Sequence, residues 1–319
     1  MKLKAGYKYS LSLVLALTAV MLCILPFLAV KKDILYVYTE QSEPSISEQG
    51  FIRELRRLGL SVIVNEKAPD SKGYALWFKN PDYAAKIADS QAKENFLYTE
   101  IYAPFDWQSV KKAPVVLTPY REIFEHYMRS NVKSAMMTLG VNTSVFYQKS
   151  KQKRYVLVYS GDNNKNAPIT EYLRKHTTAL FLGTFWPRDY PQLSLKNSLP
   201  KGRAKALSET QKVVVYNAKD TPESKKIPHE IMEATACGAL VFSTYNKVVK
   251  ETYQDNVIIY ENEEDLKAKL AMPYNATLHN KALKAQKITV EKLSSAASAK
   301  RFKELLDWIK NNQTAMPND

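Results

Sequence analysis

Two carboxylates and a histidine sit close together in Pro228-His229-Glu230-Ile231-Met232-Glu233. An ionised carboxylate accepts hydrogen bonds on both oxygens, so one Glu can take both hydroxyls of a vicinal diol. Pro228 suits the first turn of a helix, where its missing N–H costs nothing. The free N–H groups and the dipole at such a helix start favour an anion. Glu233 lies five residues after Pro228, with His229, Glu230, Lys219 and Lys226 near the same helix start. Glu230 also serves as an ordinary first-turn acid complementing the dipole. A base for an incoming hydroxyl has to come from elsewhere. Glu100, Asp106 and His126 are the candidates.

The flanking residues must form the elements that hold these groups. Ile231, Met232, Ala234, Thr235 and Cys237 continue the helix, and Gly238 is placed to end it. Val213–Tyr216, Ala239–Ser243 and Val257–Tyr260 are apolar runs expected of strands buried on both faces. Lys219–Lys226 is polar, contains a Pro and reads as a loop. Strand, loop, helix, strand in repetition means parallel α/β, where ligands bind beyond the carboxyl ends of the strands. A Gly-containing turn, Ser160-Gly161-Asp162, follows the expected strand Val156–Tyr159; it would let backbone N–H groups approach an anion, and an ordinary turn explains it equally well.

The same alternation begins earlier. Strands are expected at Ile34–Tyr38, Leu60–Val64, Ala75–Phe78, Phe96–Tyr98 and Pro114–Leu117, and helices at Ser47–Leu58 and Glu122–Arg129. Phe51, Ile52, Leu55 and Leu58 mark the inward face of the first helix, and Gly59 caps it. Glu100 follows one of these strands and faces the cleft if the sheet is parallel. Gln148–Arg154 is polar and basic and reads as a linker between residues 33–147 and 155–319. The second half adds a helix at Ile169–His176, a strand at Ala179–Leu182, a helix from Lys201 to Lys212, and helices near 263–271, 278–292 and 297–310.

Residues 1–32 stand apart. Tyr9–Val30 carries no charge, a length that matches the roughly 20 residues needed to span a bilayer. A single-pass anchor is expected, and the slight excess of lysines before it biases the globular part to the non-cytoplasmic side. The chain of 319 residues has a net charge of +14, of which Lys2, Lys4 and Lys8 account for three. A basic excess suits anionic partners. No aromatic–basic signature or recognition helix supports nucleic acid. The two cysteines give no disulfide framework, and the four scattered histidines have no metal-ligand spacing.

The string from Pro228 to Val241 resembles the donor-site helix of two-domain glycosyltransferases with the GT-B fold. It is most similar to the group-1-like, spore-maturation-type family, whose motif reads roughly R-x-F-E-A-x-A-C-G-A. The resemblance implies two Rossmann-like domains and a nucleotide-sugar donor whose ribose binds Glu233. It implies no metal or other cofactor, and a glycan, lipid or protein acceptor. Leu139-Gly140-Val141-Asn142-Thr143-Ser144-Val145-Phe146 is similar to the string that closes the family's first domain, with Asn142 in place of Asp. Gly183-Thr184-Phe185-Trp186 resembles a G-x-x-W segment near the donor base, which adds Gly183 and Trp186 to the donor site. A core Trp at a strand end is the plainer explanation of the same residues. The chain departs from the pattern at Glu230, where relatives carry a basic residue, and at Lys225, where many carry Glu.

Two alternatives follow. Tyr98-Thr99-Glu100-Ile101-Tyr102 and Phe105-Asp106-Trp107 resemble the acceptor-domain acid segment of fucosyltransferases, although that family's T-E-K donor signature is missing. The departures at 225 and 230 also leave room for a GT-B-like binding protein without catalysis.

Overall fold

Short β-branched and aromatic runs build two parallel sheets in the computed structural model, which describes residues 33–39, 41–66, 69–78, 83–100, 113–161, 167–184, 186–193, 199–216 and 225–311. The expected membrane segment lies outside these residues. Among the described residues, no helix is long and apolar enough to cross a membrane.

The first sheet contains β1 (Ile34–Tyr38), β2 (Ser61–Val64), β3 (Tyr74–Phe78), β4 (Asn95–Tyr98), β5 (Val115–Thr118) and β6 (Ser134–Met136), in the order β2-β1-β3-β4-β5-β6. Every pairing is parallel. β3, β4 and β5 are buried along their whole length, as central strands covered on both faces must be. Helix α1 (Ile46–Arg57) begins with a capping box in which Ser45 and Glu48 satisfy each other's backbone N–H groups. It buries Phe51, Ile52 and Leu55, and Gly59 ends it at φ +90°. Leu58, expected inward, is 42% exposed, because it is the C-cap residue and lies past the last inward-facing turn. Helix α2 (Tyr83–Ala88) follows β3, and α3 (Arg121–Arg129) follows β5.

The second sheet contains β7 (Tyr155–Ser160), β8 (Leu180–Leu182), β9 (Thr210–Val215), β10 (Leu240–Thr244) and β11 (Ile258–Tyr260), in the order β11-β10-β9-β7-β8. Its helices are α4 (Pro168–His176), α5 (Pro200–Ser208), α6 (His229–Ala236), α7 (Lys247–Tyr253), α8 (Glu263–Ala271), α9 (Ala276–Lys292) and α10 (Ser295–Lys310). The helix expected to reach Lys212 stops at Ser208. Glu209 caps it, and the β-branched run to Val215 is drawn into β9. Lys212 therefore sits in a strand, and its ammonium donates to the carbonyls of Leu270 and Met272.

The two halves are joined twice at one place. The Val141 N–H donates to the Leu293 carbonyl at 2.8 Å, and the Ser295 N–H donates to the Val141 carbonyl at 2.9 Å. A Cβ on Gly140 would stand 2.4 Å from the Ser294 carbonyl carbon, so the crossing requires glycine there. Val141 and Phe146 already pack in the core of the second half. The final helix does the reverse. Phe302 of α10 lies 5.8 Å from Phe51 and 5.0 Å from Phe96, inside the first core. Lys310 at its end pairs with Asp33. The last helix thus completes the first domain, although its sequence follows the second.

Candidate functional site

The second sheet changes winding direction between β7 and β9, which are neighbours although β8 lies between them in sequence. A crevice opens beyond the carboxyl ends of strands at such a point. Gly161 follows β7 there, and the segment after β9 leads into α6. The helix starts at Pro228, as its sequence predicts, and Pro228 makes no side-chain capping hydrogen bond. Its far end closes on Gly238 at φ +74°, with Gly238 N–H donating to Thr235 and Ala239 N–H to Ala234. Ile231 and Ala234 are fully buried.

Glu233 is buried, not a solvated first-turn acid. Its Oε1 accepts from Arg203 Nη2 of α5 at 2.5 Å. The Arg203 guanidinium lies over the Phe146 ring at 5.5 Å, so the segment joining the two domains forms part of the same cluster. Burial pushes the Glu233 carboxyl up to about 7. Arg203 works against that rise and the nearby Glu230 adds to it. Arg203 did not stand out in the sequence, since Lys201 and Lys205 on the same helix look alike there. Only its spatial partner distinguishes it.

The opposite wall of the cleft comes from the first domain. Glu100 lies just beyond β4, where the parallel sheet was expected to place it. Its Oε2 accepts from Lys226 at 2.8 Å, joining one domain to the other. Lys226 also sits over the Tyr120 ring at 5.6 Å, and its carbonyl accepts from the Asn246 amide. Burial alone would lower the Lys226 pKa. The hydrogen bond and charge of Glu100 outweigh it, and the net shift is upward. A second, more exposed pair joins Lys225 to Glu122 at 2.8 Å. The structure therefore uses Lys225 and Lys226 as bridges between the domains.

The remaining candidates divide. His229 and Glu230 occupy the first turn of α6, half-buried. Gly161 lies beside Tyr159, with the phenol oxygen 3.2 Å from where a Cβ would stand. Gly183 has φ +147°, and a side chain there would meet Trp186 Nε1 at 2.9 Å. Trp186 itself belongs to the core. It is buried, stacks on Tyr190 at 5.2 Å and packs against Phe181 and Tyr159. This corrects the expectation of a base-contacting ring, because the aromatic residues around it take up its surface. His126 is exposed on the last turn of α3, away from the helix start that meets Lys225. Asp106 and Lys219 lie outside the described residues. Among the described residues, no cluster of His, Cys, Asp and Glu could hold a metal ion. A hollow of about 570 Å³ is lined by Lys250, Val257, Met272 and Lys281, and none of the candidate site residues lines it.

Residues 167–307 match a family described as glycosyl transferase-like. That match spans most of the second domain. No curated protein matches the chain in sequence. Among solved structures, a glycosyltransferase from Rickettsia africae is similar with TM-score 0.57 and 14% identity, over 89% of this chain and all of that one. Anabaena HepE in complex with UDP-glucose gives TM-score 0.57 and 11% identity, over 86% of this chain and 99% of that chain. A putative UDP-N-acetylglucosamine 2-epimerase from Listeria monocytogenes gives TM-score 0.57 and 11% identity, over 90% and 99%. At these identities the likeness concerns the fold: two Rossmann-like parallel sheets in a GT-B arrangement.

Proposed function

We propose that the cleft binds a nucleotide-diphosphate sugar and transfers its sugar to a glycan, lipid or protein acceptor. The single observation that carries the reading is Glu233, held by Arg203 in the middle of α6 within the segment that matches the glycosyl transferase-like family. Its carboxylate suits the two hydroxyls of a ribose. The dipole at the start of α6, with His229 and Lys226 beside it, suits the diphosphate. Uridine is the first nucleotide to try, because HepE was solved with UDP-glucose in this fold. Glu100 is the carboxylate best placed to deprotonate an acceptor hydroxyl, since it lies at the cleft on the opposite domain. Helix N–H groups and lysine stand in this reading where other transferases place a metal, so activity should survive EDTA. The string Glu233-Ala234-Thr235-Ala236-Cys237-Gly238-Ala239 supports the spore-maturation-type group within the family. The apolar run at residues 9–30 supports attachment to a membrane.

The test is calorimetric titration of the full chain with UDP-glucose and other nucleotide sugars, followed by assay of free UDP. Wild type should bind at least one donor, and Glu233→Ala should weaken it about tenfold or more, which is about 1.4 kcal/mol. A folded wild type that binds no nucleotide sugar sinks the proposal. Conversion of the sugar without release of UDP would redirect it to epimerisation, which the same fold hosts in other proteins.

A further inference from the structure

We propose that Arg203 is a positioning residue of the donor site, which favours the ionised form of Glu233 and fixes it in one direction so that it accepts from a diol. The inference rests on the donor reading of the same cleft.

Three features of the geometry point to it. The guanidinium reaches Glu233 with one terminal nitrogen, Nη2, at 2.5 Å. Its Nε–H is buried and has no acceptor among the described residues. A guanidinium placed only for stability would pair more of its donors, because an orphaned buried N–H is costly. Finally, Phe146 fixes the plane of the guanidinium from the segment that joins the domains. Glu233 is buried to 7% exposure while the Arg203 side chain keeps 35%. The cation is thus the more exposed partner of the pair.

The charges around Glu233 decide what Arg203 does. On its own helix Glu230 faces it and opposes ionisation. Cys237, one turn later, is pushed up to about 12 by burial first and by Glu233 second, and stays a neutral thiol. Lys149 and Lys153 act on Cys237, and Lys153 donates to the Ser208 and Gly238 carbonyls at the far end of α6. From α9 the neighbours are neutral: Gln286 donates to Ala236, and Thr289 bonds Thr235. Among these groups, Arg203 is the one cation that favours the Glu233 carboxylate. Without it, burial and Glu230 both push toward the neutral acid, which donates one of the hydrogen bonds it should accept.

The experiment measures UDP-glucose affinity against pH for wild type, Arg203→Lys, Arg203→Met and Glu233→Gln in the full chain. The Glu233 carboxyl is followed in parallel by ¹³C NMR. UDP-glucose is the probe because its diphosphate diester does not titrate near neutrality. Wild-type affinity should rise with pH through a midpoint near 7. Arg203→Met should move that midpoint up by about one unit or more and lower affinity at pH ~7 about fivefold, as the ionised fraction falls from about a half to below a tenth. Arg203→Lys should restore most of the wild-type midpoint, since it returns the charge. Glu233→Gln should bind weakly and with a flat profile. A uniform loss of affinity in Arg203→Met with an unmoved midpoint would overturn the proposal and leave Arg203 a packing residue. If the NMR midpoint moves in Arg203→Met but Glu233→Gln binds as wild type does, Arg203 governs Glu233 and the donor reading of the cleft is what fails. If Arg203→Met does not fold, Arg203→Gln, which also removes the charge, carries the test, and an unchanged NMR midpoint together with lowered affinity again overturns it.

Discussion

The two walls of the cleft hold their carboxylates in opposite ways. On the second domain, Glu233 pairs with Arg203 of the same domain, on helices packed against one sheet. That pair exists whatever the first domain does. On the first domain, Glu100 pairs with Lys226, which belongs to the other wall. That pair forms only when the domains stand in this arrangement. One wall is therefore complete beforehand, and the other is assembled by closure. For a transferase this division is useful. In the proposed function, the donor wall would carry a carboxylate paired within its own domain, and the opposite wall one whose cation comes from across the domain boundary.

The sharpest way to break the comparison is to remove the charge that is built in. In the folded state the Glu233 carboxyl titrates near 7, against an ordinary 4.5. Between these values the unfolded chain loses the proton first and the folded chain keeps it, so wild-type stability falls as pH rises through that window. The difference corresponds to about 3 kcal/mol at about 1.4 kcal/mol per unit. Glu233→Gln has no such titration. Its stability relative to wild type should grow from pH ~4.5 to ~7 and stay level above. Denaturant melts across this range measure it, and parallel pH profiles for both proteins would show that Glu233 is not the buried acid described here.

How far the sequence reveals these walls depends on range. Pro228 and Gly238 mark the ends of α6 because helix starts and stops are local chemistry, and the helix lies between them as expected. Ile34–Tyr38 is a strand from end to end for the same reason. Arg203 stayed hidden because its partner lies thirty residues away and its neighbours Lys201 and Lys205 carry the same charge. Lys226 and Glu100 are 126 positions apart and belong to different domains, so no periodicity links them. β6 holds three residues, too few to show an alternation, and it went unread. α5 was read too long because neither Gly nor Pro follows Ser208 to announce its end. Trp186 shows the opposite hazard. Its string resembled a ligand segment, but the aromatic residues that enclose it come from Tyr159, Phe181 and Tyr190.

Lys226→Met tests the assembled wall. It leaves Glu100, whose side chain is 17% exposed, without its cross-domain cation. A partly buried, hydrogen-bonded charge that loses its partner costs about 1–3 kcal/mol. The domains should separate more often, which small-angle scattering reads as a larger radius of gyration. Lys226→Met combined with Glu100→Gln should recover part of the closure, because the stranded charge is gone. A radius unchanged in Lys226→Met would mean that the crossing at Gly140 and Ser294, not the ion pair, fixes the domains.

The smallest effect belongs to Lys225 and Glu122. Their distance, 2.8 Å, equals that of Lys226 and Glu100, so geometry alone would rank the two pairs together. Exposure separates them. The Lys225 and Glu122 side chains are 49% and 61% exposed, and water already solvates both charges. Bringing them together gains little Coulomb energy, costs the freedom of two long side chains, and is screened by salt. Pairs of this kind contribute about 0–1 kcal/mol. Glu122→Gln should therefore shift closure by under about 0.5 kcal/mol and donor affinity by less than about twofold. The effect should vanish near 0.5 M salt, where the screening length is a few ångströms. Donor affinity and scattering for Glu122→Gln at low and high salt are the measurement. If Glu122→Gln opens the cleft as far as Lys226→Met does, burial is not what distinguishes the pairs, and the closed state is held by the total charge facing across the cleft.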